Sequence, residues 1–198
     1  MNIQTNNIFI ITGTSGGGKD SVANLILESH PEISKVVTHT SRPPRDNEIP
    51  GKDYHFVREN EFKTMINNDE FIEWANVYGQ YKGISKKEIL SVTKQQNDIL
   101  LRINIDGVIS IKSLYPKAIA IFISAPNVND LTTRLNLRNS DSEVDKQARI
   151  SEIAREHSLI EKCDYFVPNY DGKLDETVKI VDSIITSSRY RISAVKST

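Results

Sequence analysis

The chain is poor in residues that staple a fold or span a membrane. Among 198 residues there is one cysteine, Cys163. No internal disulfide framework can form, and the composition fits a reducing compartment, the cytoplasm. A single cysteine in such a chain reads as a small buried residue before it reads as a nucleophile. No apolar run approaches the ~18 residues of a membrane-crossing helix. Residues 1–7 are short and polar, without the pattern of a signal peptide. An excess of one charge is also missing: 25 Lys and Arg stand against 26 Asp and Glu, a formal net charge of −1. That gives no overall bias toward nucleic acid or a membrane surface, so any anion binding falls to local clusters. Internal repeats and low-complexity segments are absent. What remains is a soluble globular chain, 38% apolar and long enough to bury a core unaided, with room for one inserted lobe.

What is present is glycine in one place. Gly13, Gly16, Gly17 and Gly18 sit in the stretch Gly13-Thr14-Ser15-Gly16-Gly17-Gly18-Lys19-Asp20-Ser21. An apolar run at 8–11 precedes it and reads as a buried strand. Apolar residues at helical spacing follow it over 22–27. Strand, glycine-rich turn and helix are the context of a phosphate-binding loop. The glycines let backbone N–H groups point inward as an anion nest, and the positive end of the helix adds to it. Lys19 can then reach the β- and γ-phosphates of a nucleotide. The spacing fits GxxxxGK[ST] except at its last position, where Asp20 replaces the hydroxyl that touches Mg²⁺. Ser21 comes one place later and points elsewhere on the helix.

Along the chain, 35–39 reads as a second strand. The prolines and glycine of 41–51 then enforce an open loop. A short strand over 53–57, a helix over 59–68 and an antiparallel pair over 70–78 and 80–83 interrupt the alternation of strand and helix, so 40–84 reads as the inserted lobe. Ser85 caps a helix to about 96, with Glu88 as its capping-box partner. Strands at 99–104, 118–123 and 165–167 alternate with helices at 105–114, 127–137, 141–162 and 174–187. Asn127 is the cap of the second of these. Five such strands predict a parallel sheet covered by helices on both faces, with the phosphate loop at its carboxyl edge. The fold class is thus α/β, with a small mixed lobe and a helical lid. The expected division is a core of 1–39, 85–126 and 163–190, the lobe of 40–84, and a lid at about 127–162.

Three groups of side chains could carry chemistry. Arg42 and Arg45 lie three apart in the proline-stiffened loop near Tyr54, and guanidinium forks suit a phosphate; the alternative is a solvated basic loop. Arg134 and Arg138 share one helix face, and Arg149 lies on the next helix across a break at Asn139-Ser140. Such arginines stabilise a transferring phosphoryl group, unless they are ordinary surface ion pairs. Glu73, in Phe71-Ile72-Glu73-Trp74, shares a strand face with Phe71. Turned inward it would need donors, which the edge of a base could supply; turned outward it would be an edge-strand charge.

These motifs come in an order that resembles the guanylate kinase family over about residues 8–187. The matching pieces are the glycine-rich loop, His39-Thr40-Ser41-Arg42-Pro43-Pro44-Arg45, Gly51-Lys52-Asp53-Tyr54-His55-Phe56, Phe71-Ile72-Glu73-Trp74-Ala75, the Arg134, Arg138 and Arg149 set, and Asn169 after the last strand. The resemblance implies a P-loop nucleoside monophosphate kinase using ATP and Mg²⁺, built of core, acceptor lobe and lid. It implies that Gly13, Ser15, Gly16, Gly17, Gly18, Lys19, Asp20, Ser21, Arg134 and Asn169 hold ATP. Thr38, Arg42, Arg45 and Tyr54 hold the acceptor phosphate, with Tyr81, Lys82 and Asn104 also on the substrate side. Glu73 accepts from guanine N1 and its exocyclic amine. Lys19, Arg42, Arg134, Arg138 and Arg149 serve catalysis, and Asp20 the metal. Small-molecule substrates are the implied partners, with the chain a monomer or a homodimer.

The chain departs from the family in three motifs. Asp20 stands for Ser or Thr. Tyr-Tyr-Gly-Ser or -Thr becomes Tyr81-Lys82-Gly83-Ile84, and Asp-x-Asp becomes Arg102-Ile103-Asn104. The Gly-Lys-Asp-Ser loop also resembles the ribose 1,5-bisphosphate phosphokinases. Asp20 returns a carboxylate to the metal side where Arg102 removes one, the alternative being an Asp20–Arg102 ion pair without a metal role, and Lys82 keeps a cation where a phenol was. Phosphorylation of GMP or dGMP by ATP is therefore the first reading. A kinase of a phosphorylated sugar and a catalytically weak binding module are the alternatives.

Overall fold

The computed structural model describes residues 7–46, 48–77, 79–95, 97–136 and 143–191. In chain order the elements are β1 (Ile8–Gly13), α1 (Lys19–Ser29), β2 (Ile33–Lys35), β3 (His39–Thr40), β4 (His55–Phe56), α2 (Glu59–Asn67), β5 (Phe71–Val77), β6 (Gln80–Ser85) and α3 (Lys86–Thr93). They continue with β7 (Asp98–Arg102), α4 (Ile105–Leu114), β8 (Ile119–Ser124), α5 (Val128–Asn136), α6 (Glu143–Ser158), a 3₁₀ turn (Ile160–Lys162), β9 (Tyr165–Pro168) and α7 (Leu174–Ser188).

A five-stranded sheet in the order β2-β7-β1-β8-β9 forms the core, with every pairing parallel. A parallel strand covered on both faces needs apolar residues at every position rather than at alternate ones. β1 meets that demand. Ile8 and Ile10 join one buried cluster, with Ile99, Leu101, Ala120 and Phe122. Phe9 and Ile11 join the other, with Leu100, Ile119, Ile121 and Ile123. Val22, Ala23 and Ile26 of α1 and Val181, Ile184 and Ile185 of α7 cover the second cluster. Ile105, Val108 and Ile111 of α4, with Ile89 and Val92 of α3, cover the first. A smaller mixed sheet, in the order β4-β3-β6-β5, is formed by the segment between β2 and α3.

Several boundaries differ from the sequence reading. The strand expected at 35–39 is two strands in two sheets. β2 ends at Lys35, and the chain leaves the core at Val37, whose N–H is donated to Glu88 Oε1 at 3.0 Å. That contact also spoils the expected capping box. Ser85 Oγ does accept from Glu88 N at 3.2 Å, but the Glu88 carboxylate serves Val37 and lies 3.4 Å from His55 Nε2. α3 stops at Thr93. β7 ends at Arg102 because Asn104 turns to cap α4, accepting from Gly107 N at 3.3 Å. Asn127 caps α5 as expected, accepting from Asp130 N at 2.9 Å. The long polar helix ends at Ser158 and passes into the 3₁₀ turn. Tyr78, Arg138 and the break at Asn139-Ser140 lie outside the described residues. Among the described residues no helix is long and apolar enough to cross a membrane.

β1 delivers the loop to the carboxyl edge of the sheet through Gly13, whose φ is 144°. A Cβ there would lie 1.8 Å from the backbone oxygen of Ile123 on β8. Gly13→Ala is expected to cost several kcal/mol, about 1–3 from overpacking and about 1–3 from backbone strain. Chemical denaturation checks this: the midpoint should fall clearly below that of the parent.

Candidate functional site

The loop closes on itself through Gly17 N donating to Thr14 O at 3.0 Å. It is held from beneath by the ends of β8 and β9. Thr14 Oγ1 and Ser124 Oγ share a hydrogen bond of 2.9 Å, and Asn169 Nδ2 donates to Gly17 O at 3.0 Å. Asn169 Oδ1 accepts from Thr177 Oγ1 at 3.2 Å. Asn169, expected among the ATP contacts, thus has its amide spent on supporting the loop. Gly18 caps α1 with φ 90°, and a Cβ on it would meet Asn169 Nδ2 at 2.2 Å. Lys19 Nζ donates to Thr14 O at 3.3 Å. Burial lowers the Lys19 pKa, while Asp20 and Glu156 pull it back up. Ser21 is exposed on the outer side of α1.

α5 and α6 bring arginines onto the loop. Arg149, buried, donates from Nη1 to Ser15 Oγ at 2.8 Å. Ser15 N in turn donates to Glu156 Oε2 at 3.3 Å. A carboxylate therefore takes an N–H from a loop whose glycines suit it to anions. Arg134 spreads its guanidinium over three partners: Asp171 Oδ1 at 2.8 Å, Asn169 O at 2.7 Å and Gly16 O at 3.4 Å.

Facing the loop are residues of the small sheet and its leading segment. Arg42, buried, grips Glu48 end-on, with Nη1 to Oε2 at 2.6 Å and Nη2 to Oε1 at 2.5 Å. Glu48 Oε2 also accepts from Arg45 N at 2.9 Å. The Arg42 guanidinium lies 5.0 Å from the centre of the Tyr54 ring, and that of Arg102 lies 4.9 Å from it. Lys82 Nζ is 5.9 Å from the same ring. Thr38, Tyr54, Lys82 and Arg102 line one cleft with Ser15, Lys19 and Asp20. Asp20, half exposed, forms an ion pair with Arg102, Oδ1 to Nε at 3.4 Å. Burial pushes Lys82 down to about 8; Asp20 opposes this, and Arg149, Arg42 and Arg102 add to it. Tyr81 is not brought to this cleft. It follows strand alternation to the other face, where its ring stacks on Phe62 at 5.4 Å.

At the far end of the cleft stands Glu73. β5 turns it inward, 7% exposed, while Trp74 on the other face is 46% exposed. Its cross-strand neighbour is Ile84, fully buried. Phe71 does not share its face as expected: a bulge between the two turns Phe71 to the other side, where it stacks on Phe62 at 4.4 Å. Burial, and then the charge of Asp106, push the Glu73 carboxyl up to about 7. Asn104 lines the cleft beside it but has its oxygen on Gly107 N and its amide 3.3 Å from Asp106 Oδ2.

Sequence reasoning missed two members of this arrangement and half of a third. Glu48 and Glu156 lie in charged stretches without a motif. Arg102 was legible as a lost carboxylate and as an ion-pair partner for Asp20, but not as a neighbour of Tyr54, although its place at the carboxyl end of the strand beside β1, in register with Ile11, is a signal for a ligand-facing residue. Among the described residues no group of three His, Cys, Asp or Glu side chains forms a cage for a metal ion.

Comparison with known proteins places this geometry. The guanylate kinase family model matches residues 5–188. The chain is 33% identical over 189 residues to a guanylate kinase of Caldanaerobacter subterraneus subsp. tengcongensis, covering 96% of this chain and 91% of that one. It is 37% identical over 180 residues to that of Shewanella violacea, covering 89% and 87%. A crystal structure of guanylate kinase from Anaplasma phagocytophilum superposes with a TM-score of 0.76 at 26% identity, covering 96% and 89%.

The lowered Lys82 pKa has a direct consequence. Below about 8 the side chain is a cation that attracts phosphate; as pH rises through 8 it loses that charge. Affinity for inorganic phosphate should therefore decline on the alkaline side of about 8. Lys82→Arg, which stays charged, should flatten that decline in a calorimetric titration across pH.

Proposed function

The chain belongs to the guanylate kinase family, and from that premise we propose that it transfers the γ-phosphoryl group of ATP to GMP or dGMP. The observation that carries the reading is the meeting of Lys19 and Arg149 with Arg42, Lys82 and Tyr54 across one cleft that ends at the buried acid Glu73. The loop takes the donor phosphates; residues 40–84 act as acceptor lobe and 127–162 as lid. A phosphate oxygen of the acceptor attacks the γ-phosphorus in line. The bond from that phosphorus to the β,γ-bridging oxygen breaks, and ADP leaves with the electron pair. No covalent enzyme intermediate is needed, since the work is positioning and charge neutralisation. Ionised Glu73 accepts from guanine N1–H and the 2-amino group. Ile84 offers no hydrogen bond to the base and Asn104 is occupied, so phosphate contacts carry more of the affinity than base reading does. A sugar-phosphate acceptor is disfavoured because it would leave the buried Glu73 without donors.

Mg²⁺, which the family generally uses, would neutralise charge between the β- and γ-phosphates. A cation held mainly by phosphate oxygens and water asks for only one or two protein carboxylates. Asp20, one residue past Lys19 and half exposed, fits that requirement. Without a cation beside it, its charge would repel the nucleotide. Its ion pair with Arg102 is the competing arrangement.

The test of the reaction is ADP release, measured with a panel of GMP, dGMP, AMP, IMP and ribose 1,5-bisphosphate. GMP and dGMP should lead, and activity confined to the sugar phosphate would sink the proposal. The role of Asp20 is read from ATP affinity with and without Mg²⁺. The parent should gain strongly from the metal, and Asp20→Ser should bind metal-free ATP better than the parent does. An equal Mg²⁺ gain in both proteins would remove Asp20 from the metal site.

A further inference from the structure

Arg102 is the best-placed cation in the cleft that the phosphoryl-transfer scheme leaves without a task. It stands at the last position of β7, beside β1 and two residues short of the level at which the loop begins. Its side chain is only 8% exposed, and it lines the cleft. One side of it faces the donor loop, through Asp20 of α1 at 3.4 Å. The other faces the acceptor lobe: Nη2 donates to Asp53 O at 3.2 Å, and the guanidinium lies over Tyr54, the ring that also carries Arg42. Burial works against its charge, and Asp20, Tyr54, Asp53 and Glu48 outweigh burial, so it remains a cation. Its Nε is buried yet makes no hydrogen bond, the Asp20 contact being an ion pair without hydrogen-bond geometry. A buried guanidinium N–H without a partner is rare in a folded protein and asks for an acceptor.

We infer that Arg102 is a further catalytic residue, whose guanidinium binds the phosphoryl group in transit between donor and acceptor. The inference rests on the kinase reading above. Phosphate oxygens supply the missing acceptor, and a guanidinium holds them with a planar fork that a lysine lacks. As the acceptor oxygen bonds to the γ-phosphorus and the bond to the bridging oxygen breaks, charge spreads over the three equatorial oxygens. A cation fixed between the two phosphate sites is strongest at that moment, because it need not move to meet the charge. Asp20 then has two functions. It holds Arg102 in place before substrates arrive, and it can turn to a cation on the nucleotide once phosphate oxygens take over the guanidinium.

The test compares the parent with Arg102→Met and Arg102→Lys. Three quantities are measured: kcat with KM for ATP and for GMP, the thermal midpoint, and the calorimetric affinity of a pentaphosphate joining adenosine to guanosine. A group that acts on the transferring phosphoryl should lower kcat by on the order of 100-fold in Arg102→Met, with smaller changes in either KM. Affinity for the joined pentaphosphate should fall well beyond that for ATP or GMP alone, and Arg102→Lys should recover part of both losses. A tether between lobe and helix would instead raise the acceptor KM and leave kcat intact at saturation; that result, or unchanged pentaphosphate affinity, overturns the inference. If Arg102→Met fails to fold by circular dichroism, Arg102→Lys decides, since it keeps the charge and loses the fork. A parent that releases no ADP with GMP refutes the kinase reading itself, and the pentaphosphate affinities then judge Arg102 alone.

Discussion

The constraint on which the site depends is like-charge repulsion. Lys19, Lys82, Arg102 and Arg149 line one cleft, and Arg42 reaches the Tyr54 ring at its edge. Two like charges 4 Å apart near a protein surface repel by roughly 4 kcal/mol, so a fold cannot assemble such a set bare. Carboxylates offset most of it. Glu48 holds Arg42, Asp20 holds Arg102, and Glu156 draws on Lys19 and the loop. Lys82 takes only partial relief from Asp20, and burial brings its pKa down to about 8. The acids keep the cations together.

The core makes this gathering possible. A parallel sheet buried on both faces sends its strand ends, with their polar continuations, to one edge. Gly13, Arg102 and Ser124 leave from neighbouring strands at that edge, and Asn169 follows β9 there. Thr14, Ser124, Asn169 and Thr177 then tie the loop down with side-chain hydrogen bonds. A rigid floor lets Lys19 keep one position, which transfer chemistry requires more than it requires any single strong contact. The small sheet meets the core through Glu88, whose carboxylate takes the Val37 N–H where the chain crosses over.

Glu73 and Lys82 illustrate how burial tunes opposite charges in one cleft. Desolvation raises the acid to about 7 and lowers the base to about 8. In the proposed role Glu73 would accept from a donor edge only when ionised, so that contact would weaken as pH falls through about 7. Lys82 attracts phosphate only when protonated, so its pull weakens as pH rises through 8. The two together favour binding near neutral pH.

Much of this was legible in the chain itself. Continuous apolar runs separated by helical periods gave away a parallel sheet, since only doubly buried strands need apolar residues at every position. The glycine spacing before Lys19 announced the tight loop between β1 and α1, because few other backbones tolerate that path. Strand alternation offered an inward Glu73, but the shared face it assigned to Phe71 was lost to a bulge between the two residues. What the sequence could not state was which distant residues would become neighbours. Alternation alone did not reveal that Tyr81 would stack on Phe62 while Lys82 entered the cleft. Nothing in the local pattern ties Glu48 to Arg42, Glu156 to Ser15, or Arg102 to Tyr54. Except for Arg42 and Glu48, which lie in one loop, those pairings join segments dozens of residues apart, and their energies depend on burial and on distance, which exist only once the sheet has brought the strand ends together.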